Sequence, residues 1–171
     1  MKIICLGDSF TEGFLVENKS YTRFLSKAGF DIINLGINGS RTDSMLERLS
    51  SYQRVDEPAD LLIVFGGTND FIQGYPVDFV FKSLKSIVDL SNARKKLLII
   101  PPFVEEDEYY PAYGQINRKI QDLKNKVKNW GISYIDAEEI PGHYLDGVHK
   151  ASDFHKNLAE KIIEKIGEKN G

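Results

Sequence analysis

Residues 60–70 read Asp-Leu-Leu-Ile-Val-Phe-Gly-Gly-Thr-Asn-Asp, a continuous apolar run followed at once by two glycines and a polar turn. A run without strict alternation is typical of a strand covered on both faces, as in a parallel sheet, and here the strand is predicted over 60–65. Similar runs at residues 2–6, 31–35, 96–100 and 132–135 predict four more strands.

Between these runs, apolar residues recur at helical spacing of three and four positions. The stripes lie at 21–28, 45–52, 80–88, 116–130 and 154–166. Ser20 and Ser152 are candidate N-caps, and Gly29 and Gly131 are candidate helix ends. Strands that alternate with helices predict an α/β fold, a three-layer α/β/α sandwich around a five-stranded, mainly parallel, doubly wound (flavodoxin-like) sheet. No repeat, linker or low-complexity segment interrupts residues 1–171, so a single domain is predicted.

Composition narrows the functional classes. The 171 residues include 22 Lys+Arg and 25 Asp+Glu, a net charge of −3 without the basic footprint of a nucleic-acid or membrane-surface protein. The single cysteine, Cys5, lies within a predicted strand, where we expect it to be buried and inert. No metal-ligand spacing, signal peptide or membrane span is recognisable, so we expect no metal, no cofactor and a cytoplasmic location. Oligomeric state stays open.

Polar segments follow the predicted strands, at the edge where parallel sheets bind ligands. They are Gly7-Asp8-Ser9-Phe10-Thr11, residues 34–40, Gly66-Gly67-Thr68-Asn69-Asp70, Pro101-Pro102-Phe103 and, before the last helix, Asp146-Gly147-Val148-His149. Each segment alone has an ordinary interpretation as a turn or cap. Together they supply a serine, an amide, glycine turns and an aspartate three residues before a histidine, which are the parts of an acyl-transfer site.

Four of these segments resemble, in order, the sequence blocks of the GDSL-type (SGNH) esterase/lipase/acylhydrolase family, and the blocks extend from residue 7 to residue 149. The resemblance implies the SGNH hydrolase fold and a serine ester hydrolase with a Ser9, His149 and Asp146 triad. It also implies an oxyanion hole formed by the backbone N–H groups of Ser9 and Gly39 and the side-chain amide of Asn69. Two positions depart from the family pattern: Phe10 replaces the leucine of the family name, and Lys150 replaces a frequent proline.

Several alternatives stay open at this stage. Asp136 is a second candidate for the triad acid, and His143 and His155 are expected to be surface or capping residues. Asp8 is interpreted either as a loop-stabilising residue or as part of the substrate site. The frame could also carry a phosphate- or flavin-binding module, or a catalytically silent binding protein.

The segment after the fourth strand is expected to shape substrate choice. Phe103, Tyr109 and Tyr110 could form the wall of a small pocket, while the acids at residues 105–108 place negative charge beside it. Like charges at a rim slow the encounter with anionic substrates. We therefore expect a small neutral ester, with a short acyl chain, as the substrate.

Overall fold

The computed structural model describes residues 1–53, 57–106 and 112–168. Its sheet has five parallel strands in the order β2-β1-β3-β4-β5. The strands are β1 Lys2–Gly7, β2 Asp31–Gly36, β3 Leu61–Phe65, β4 Lys95–Ile100 and β5 Tyr134–Asp136. The predicted doubly wound α/β sheet is therefore confirmed. The strand predicted over 132–135 begins two residues later than expected, because its pairing with β4 starts at Tyr134. Ile132 lies before that pairing and packs half-buried against the core, which accounts for its apolar character.

Five helices of seven residues or more follow the predicted stripes: α2 Tyr21–Lys27, α3 Thr42–Gln53, α5 Val77–Leu90, α6 Tyr113–Trp130 and α7 Ser152–Gly167. Two single-turn helices, α1 Ser9–Glu12 and α4 Thr68–Ile72, occupy loops where the sequence predicted only turns. Ser20 caps α2 by accepting a hydrogen bond from the Arg23 N–H, as predicted. The Ser152 prediction is wrong: Ala151 occupies the cap position, and Ser152 is already the first helical residue.

Helices cover both faces of the sheet. On one face, α3, α5 and α6 pack on β-strand side chains such as Ile4 and Leu62, and on the other face α2 and α7 pack on Ile3 and Ile63. Adjacent strand residues thus enter opposite cores, which explains the continuous apolar runs. The edge strand β2 is only partly buried. Cys5 is fully buried, and burial raises the pKa of its thiol to about 12.

The strand order places the site. β1 lies between β2 and β3, so the chain leaves β1 and β3 toward opposite sides of the sheet and opens a crevice at their carboxyl ends. Ser9 follows β1 and Asn69 follows β3, so both lie at this crevice. Within the described ranges, no helix combines the length and the apolar character that a membrane crossing needs.

Candidate active site

The turn that carries Ser9 is built by its neighbours. Asp8 caps α1, because its Oδ1 atom accepts a hydrogen bond of 3.1 Å from the Phe10 N–H. Only glycine fits at position 7, since an added β-carbon would lie 2.6 Å from the carbonyl oxygen of Phe65. Ser9 is therefore held at the first position of a helical turn, with 4% of its surface exposed.

A chain of hydrogen bonds joins Ser9, His149 and Asp146. The Nε2 atom of His149 lies 3.0 Å from Ser9 Oγ, and its Nδ1 atom lies 2.7 Å from Asp146 Oδ2. Because the carboxylate can only accept, the proton of a neutral imidazole belongs on Nδ1. The Nε2 atom then accepts, and the Ser9 hydroxyl donates to it. The order of these groups is that of a nucleophile, a base and an orienting acid.

The loop between Tyr144 and Lys150 orients the acid. The Oδ1 atom of Asp146 accepts hydrogen bonds from the Val148 N–H at 3.0 Å and from the His149 N–H at 2.7 Å. Gly147 allows this turn with a φ of 83°, in the left-handed region that favours glycine. Burial acts to raise the pKa of Asp146, but these N–H bonds and the His149 side chain outweigh it and lower the pKa.

This loop is attached to the segment after β4. The Glu105 N–H donates to the Gly147 carbonyl at 2.7 Å, and the Tyr144 hydroxyl donates to the Phe103 carbonyl at 2.5 Å. Lys150, at the position of the family proline, is buried, and its ammonium lies 3.5 Å from the centre of the Tyr144 ring. The departure from the family pattern therefore adds a cation–π contact to the loop that holds His149.

Candidate oxyanion donors come from the loops after β2 and β3. The Asn69 Nδ2 atom donates to the Ser40 carbonyl at 3.2 Å and lies 3.4 Å from Asp8 Oδ2. Gly39 has a φ of 76°, and an added β-carbon there would meet no protein atom within 4 Å. The conformation, not crowding by the protein, is thus what favours glycine at 39. Neither the Ser9 N–H nor the Gly39 N–H donates to another described residue.

Sequence reasoning missed two residues next to the site. Arg48 donates to the carbonyls of Leu35 and Gly7, both at 2.9 Å, and so ties the ends of β1 and β2 to α3. It lies three residues after Met45, within the apolar stripe of α3. A charged residue at such a position indicates that its side chain binds polar groups at the covered face of the helix. Phe14 lies against His149 with 5.0 Å between ring centres and is 38% exposed, a placement that no local sequence pattern indicates.

The other candidates lie in different surroundings. Asp8 is 1% exposed and lies beneath the crevice, and Phe103 is half-buried at the start of the segment after β4. Asp136 pairs with Lys124 and caps the 3₁₀ turn after β5, and no hydrogen bond or ion pair links it to Ser9 or to a histidine. Tyr109 and Tyr110 lie outside the described residues.

The two remaining histidines differ. His143 is exposed and pairs with Asp153, as a surface residue would. For His155 the surface alternative is wrong, because α7 directs this side chain into the core and leaves it 1% exposed. The capping alternative fits, since its Nδ1 atom accepts a hydrogen bond of 3.2 Å from the N–H of Tyr21, the first residue of α2. Among the described residues, no three His, Cys, Asp or Glu side chains converge in a way that could hold a metal ion.

Comparisons with known proteins bear on the family and the fold. The model of the GDSL-like lipase/acylhydrolase family matches residues 5–158. A crystal structure of a G-D-S-L family member from Veillonella parvula is similar over 99% of this chain and 100% of its own, at 20% identity and a TM-score of 0.84. Est24, a carbohydrate acetylesterase from Sinorhizobium meliloti, and the M. smegmatis aryl esterase each share 19% identity over 96% of this chain and 97% of theirs, with TM-scores of 0.81. A comparison with curated protein sequences gave no match.

Proposed function

The chain belongs to the GDSL-like lipase/acylhydrolase family, and from this premise we propose that it hydrolyses small, short-chain carboxylic esters through an acyl-enzyme on Ser9. The observation that carries the proposal is the continuous hydrogen-bonded chain from Ser9 through His149 to Asp146. Its donors and acceptors run in the direction that proton removal from the serine requires.

In the first half of the reaction, Ser9 Oγ attacks the ester carbonyl while His149 Nε2 takes the hydroxyl proton. The ester carbonyl becomes a tetrahedral oxyanion. His149 then gives its proton to the leaving alcohol, and the acyl group stays on Ser9. In the second half, water replaces the alcohol: His149 takes a proton from it, the hydroxide attacks the acyl carbon, and the acid leaves as Ser9 regains its proton.

Asp146 acts on the imidazole. Its Oδ2 atom holds the Nδ1 proton, and its negative charge favours the imidazolium that forms during both halves of the reaction. The lowered pKa of Asp146 means that it stays a carboxylate throughout. The proposed oxyanion donors are the N–H groups of Ser9 and Gly39 and the amide of Asn69. Fixed donors of this kind are the largest single contribution in many acyl-transfer enzymes.

Exposed apolar side chains support a small apolar acyl or aryl group as the bound part of the substrate. Phe14 is 38% exposed and contacts His149, and Ile37 and Leu145 are 49% exposed within segments that carry Gly39 and Asp146. Apolar surface of this kind is stabilised when a ligand covers it. Two structural neighbours are named an acetylesterase and an aryl esterase, and both names fit a small ester.

Charge favours a neutral substrate. A groove of about 700 Å³ beside the triad acid is lined by acidic and polar groups, which include Glu105, Glu106 and Tyr113. An alcohol or sugar leaving group can form hydrogen bonds there, whereas a phosphate or carboxylate group is repelled, most strongly at low salt. We expect kcat/KM for a neutral acetyl ester to exceed that for a long-chain acyl-CoA. A tenfold advantage of the acyl-CoA at low salt would contradict this substrate class and leave the serine mechanism intact.

Replacement of Ser9 tests the mechanism. Ser9→Ala should remove nearly all hydrolysis of p-nitrophenyl acetate, because the three residues act as a unit. A fluorophosphonate should label the wild type at Ser9, as peptide mass spectrometry would show. Ser26→Ala, at an exposed serine of α2, is the matched control and should keep both ester hydrolysis and fluorophosphonate labelling at Ser9. If Ser9→Ala retained about a tenth of the wild-type kcat, Ser9 would not be the nucleophile.

A further inference from the structure

One buried carboxylate next to the site has no role in the mechanism above. Asp8 precedes the nucleophile and is 1% exposed. One of its oxygens, Oδ1, caps α1, and the other, Oδ2, faces the Asn69 amide nitrogen at 3.4 Å. The cap itself needs no charge, because asparagine and serine cap helices about as well as aspartate. The second contact is therefore the one that calls for a carboxylate.

Asn69 can act as an oxyanion donor only if its amide is turned the right way. The two ends of the side chain, Oδ1 and Nδ2, have almost the same shape, and only hydrogen-bond partners decide which end occupies which place. In this structure Nδ2 faces two oxygens, the Ser40 carbonyl at 3.2 Å and Asp8 Oδ2. A reversed amide would place Oδ1 against both. An ionised Asp8 can accept but never donate, so it excludes the reversed orientation.

We propose that Asp8 is a positioning residue for the ester hydrolysis proposed above: its carboxylate accepts from the Asn69 amide nitrogen and keeps it directed at the oxyanion, and one N–H of that amide turns from Asp8 to the oxyanion when the tetrahedral intermediate forms. The length of the contact supports the exchange. At 3.4 Å it is longer than a strong N–H···O bond, so little is lost when the amide hydrogen turns from the Asp8 carboxylate to the oxyanion. The bond to Ser40 stays in place and holds the side chain during the exchange.

The surroundings of Asp8 support this role. Burial raises the pKa of Asp8 to about 7, the Phe10 N–H opposes this effect, Asp70 of α4 adds to it and Arg48 of α3 opposes it. Tyr21 of α2 also faces Asp8 and stays neutral, since burial raises its own pKa. A protonated Asp8 would donate, and its O–H would attract Asn69 Oδ1. The positioning role therefore belongs to the ionised form, and the test is made above the pKa of Asp8, at about pH 9.

A double-mutant cycle separates positioning from a structural role. Asp8→Asn keeps the shape and the cap but can present either an oxygen or a nitrogen to Asn69. We expect kcat for p-nitrophenyl acetate to fall about 10- to 100-fold with KM nearly unchanged, because a transition-state interaction is lost. Asn69→Ala should be slower still, and the double variant should be no slower than Asn69→Ala alone. Asp89→Asn, at an exposed aspartate of α5, should behave as wild type.

Each other outcome contradicts a specific statement. Additive losses in the cycle would show that Asp8 does not act through Asn69. A wild-type kcat for Asp8→Asn would refute the positioning role while an inactive Ser9→Ala left the proposed function standing. An active Ser9→Ala would refute both. Should Asp8→Asn fail to give a folded circular-dichroism spectrum, Asp8→Ser, which also caps, takes its place in the cycle with the same expected coupling.

Discussion

Two buried ionisable groups beneath the site should make opposite pH-dependent contributions to stability. His155 and Asp8 are each 1% exposed, so the cost of burying a charge disfavours the charged form of each. Burial lowers the pKa of His155 to about 4, with a further contribution from the charge of His149, and burial raises the pKa of Asp8 to about 7. The free energy of unfolding then depends on pH through both groups, with opposite sign.

For His155, the unfolded chain binds a proton below its ordinary pKa of 6.5, whereas the folded protein does not bind it until about 4. The unfolded state is therefore favoured as the pH falls through this window. At about 1.4 kcal/mol for each pH unit, the folded protein loses about 3 kcal/mol between pH 6.5 and pH 4. Above pH 6.5 both states are neutral at this position, and no loss remains.

For Asp8, the unfolded chain releases its proton above 3.8, whereas the folded protein keeps it until about 7. Stability from this group is complete below pH 3.8 and is lost as the pH rises to 7, by about 4 kcal/mol. The two windows overlap almost completely. In the wild type the two contributions should nearly cancel, and each single replacement should expose the other.

Urea unfolding between about pH 4 and pH 8, followed by circular dichroism, measures both contributions. Relative to wild type, His155→Asn should gain about 3 kcal/mol on going from pH 7.5 to pH 4, and Asp8→Asn should gain about 4 kcal/mol in the opposite direction. Comparison with wild type at each pH removes the contributions of all other groups. The reasoning fails if either difference stays constant within about 0.5 kcal/mol across the range.

Three further predictions concern the site. Asn69→Ala should lower kcat by about 10²–10³ with little change in KM, and a change in KM alone would show that the amide only binds substrate. Phe14→Ala should lower kcat/KM about tenfold more for phenyl acetate than for methyl acetate, because the Phe14 ring is expected to cover the phenyl group of the substrate. Leu90→Ala, at an exposed leucine remote from the site, should change kcat/KM equally little for both esters. Lys150→Met and Tyr144→Phe should each lower kcat, and each should lower the free energy of unfolding by about 1 kcal/mol and with it the Tm, since each removes one contact that holds the loop of His149. An unchanged kcat with a lowered Tm would limit that contact to folding.

The sequence by itself determined the elements and their order. Continuous apolar runs predict strands covered on both faces, and helical spacing predicts the five long helices, because burial and backbone geometry act over a few neighbouring residues. The segment from Asp146 to His149 was also readable, since its hydrogen bonds and the left-handed Gly147 are local. The burial of Cys5 was predictable from its place in a strand. The bounds of β5 and the cap of α7 were less accurate, because tertiary packing decides where an element begins.

Only the tertiary structure decided which distant groups meet. Asp8 contacts Asn69 across 61 residues, and Ser9 contacts His149 across 140. His155 was predicted as a surface or capping residue, and the packing of α7 against α2 directs it into the core, where its Nδ1 atom accepts a hydrogen bond from the Tyr21 N–H. Such contacts depend on the sheet order and on which face of a helix is covered. A local pattern names the residues, but the free energy of burial, summed over the whole fold, selects their partners.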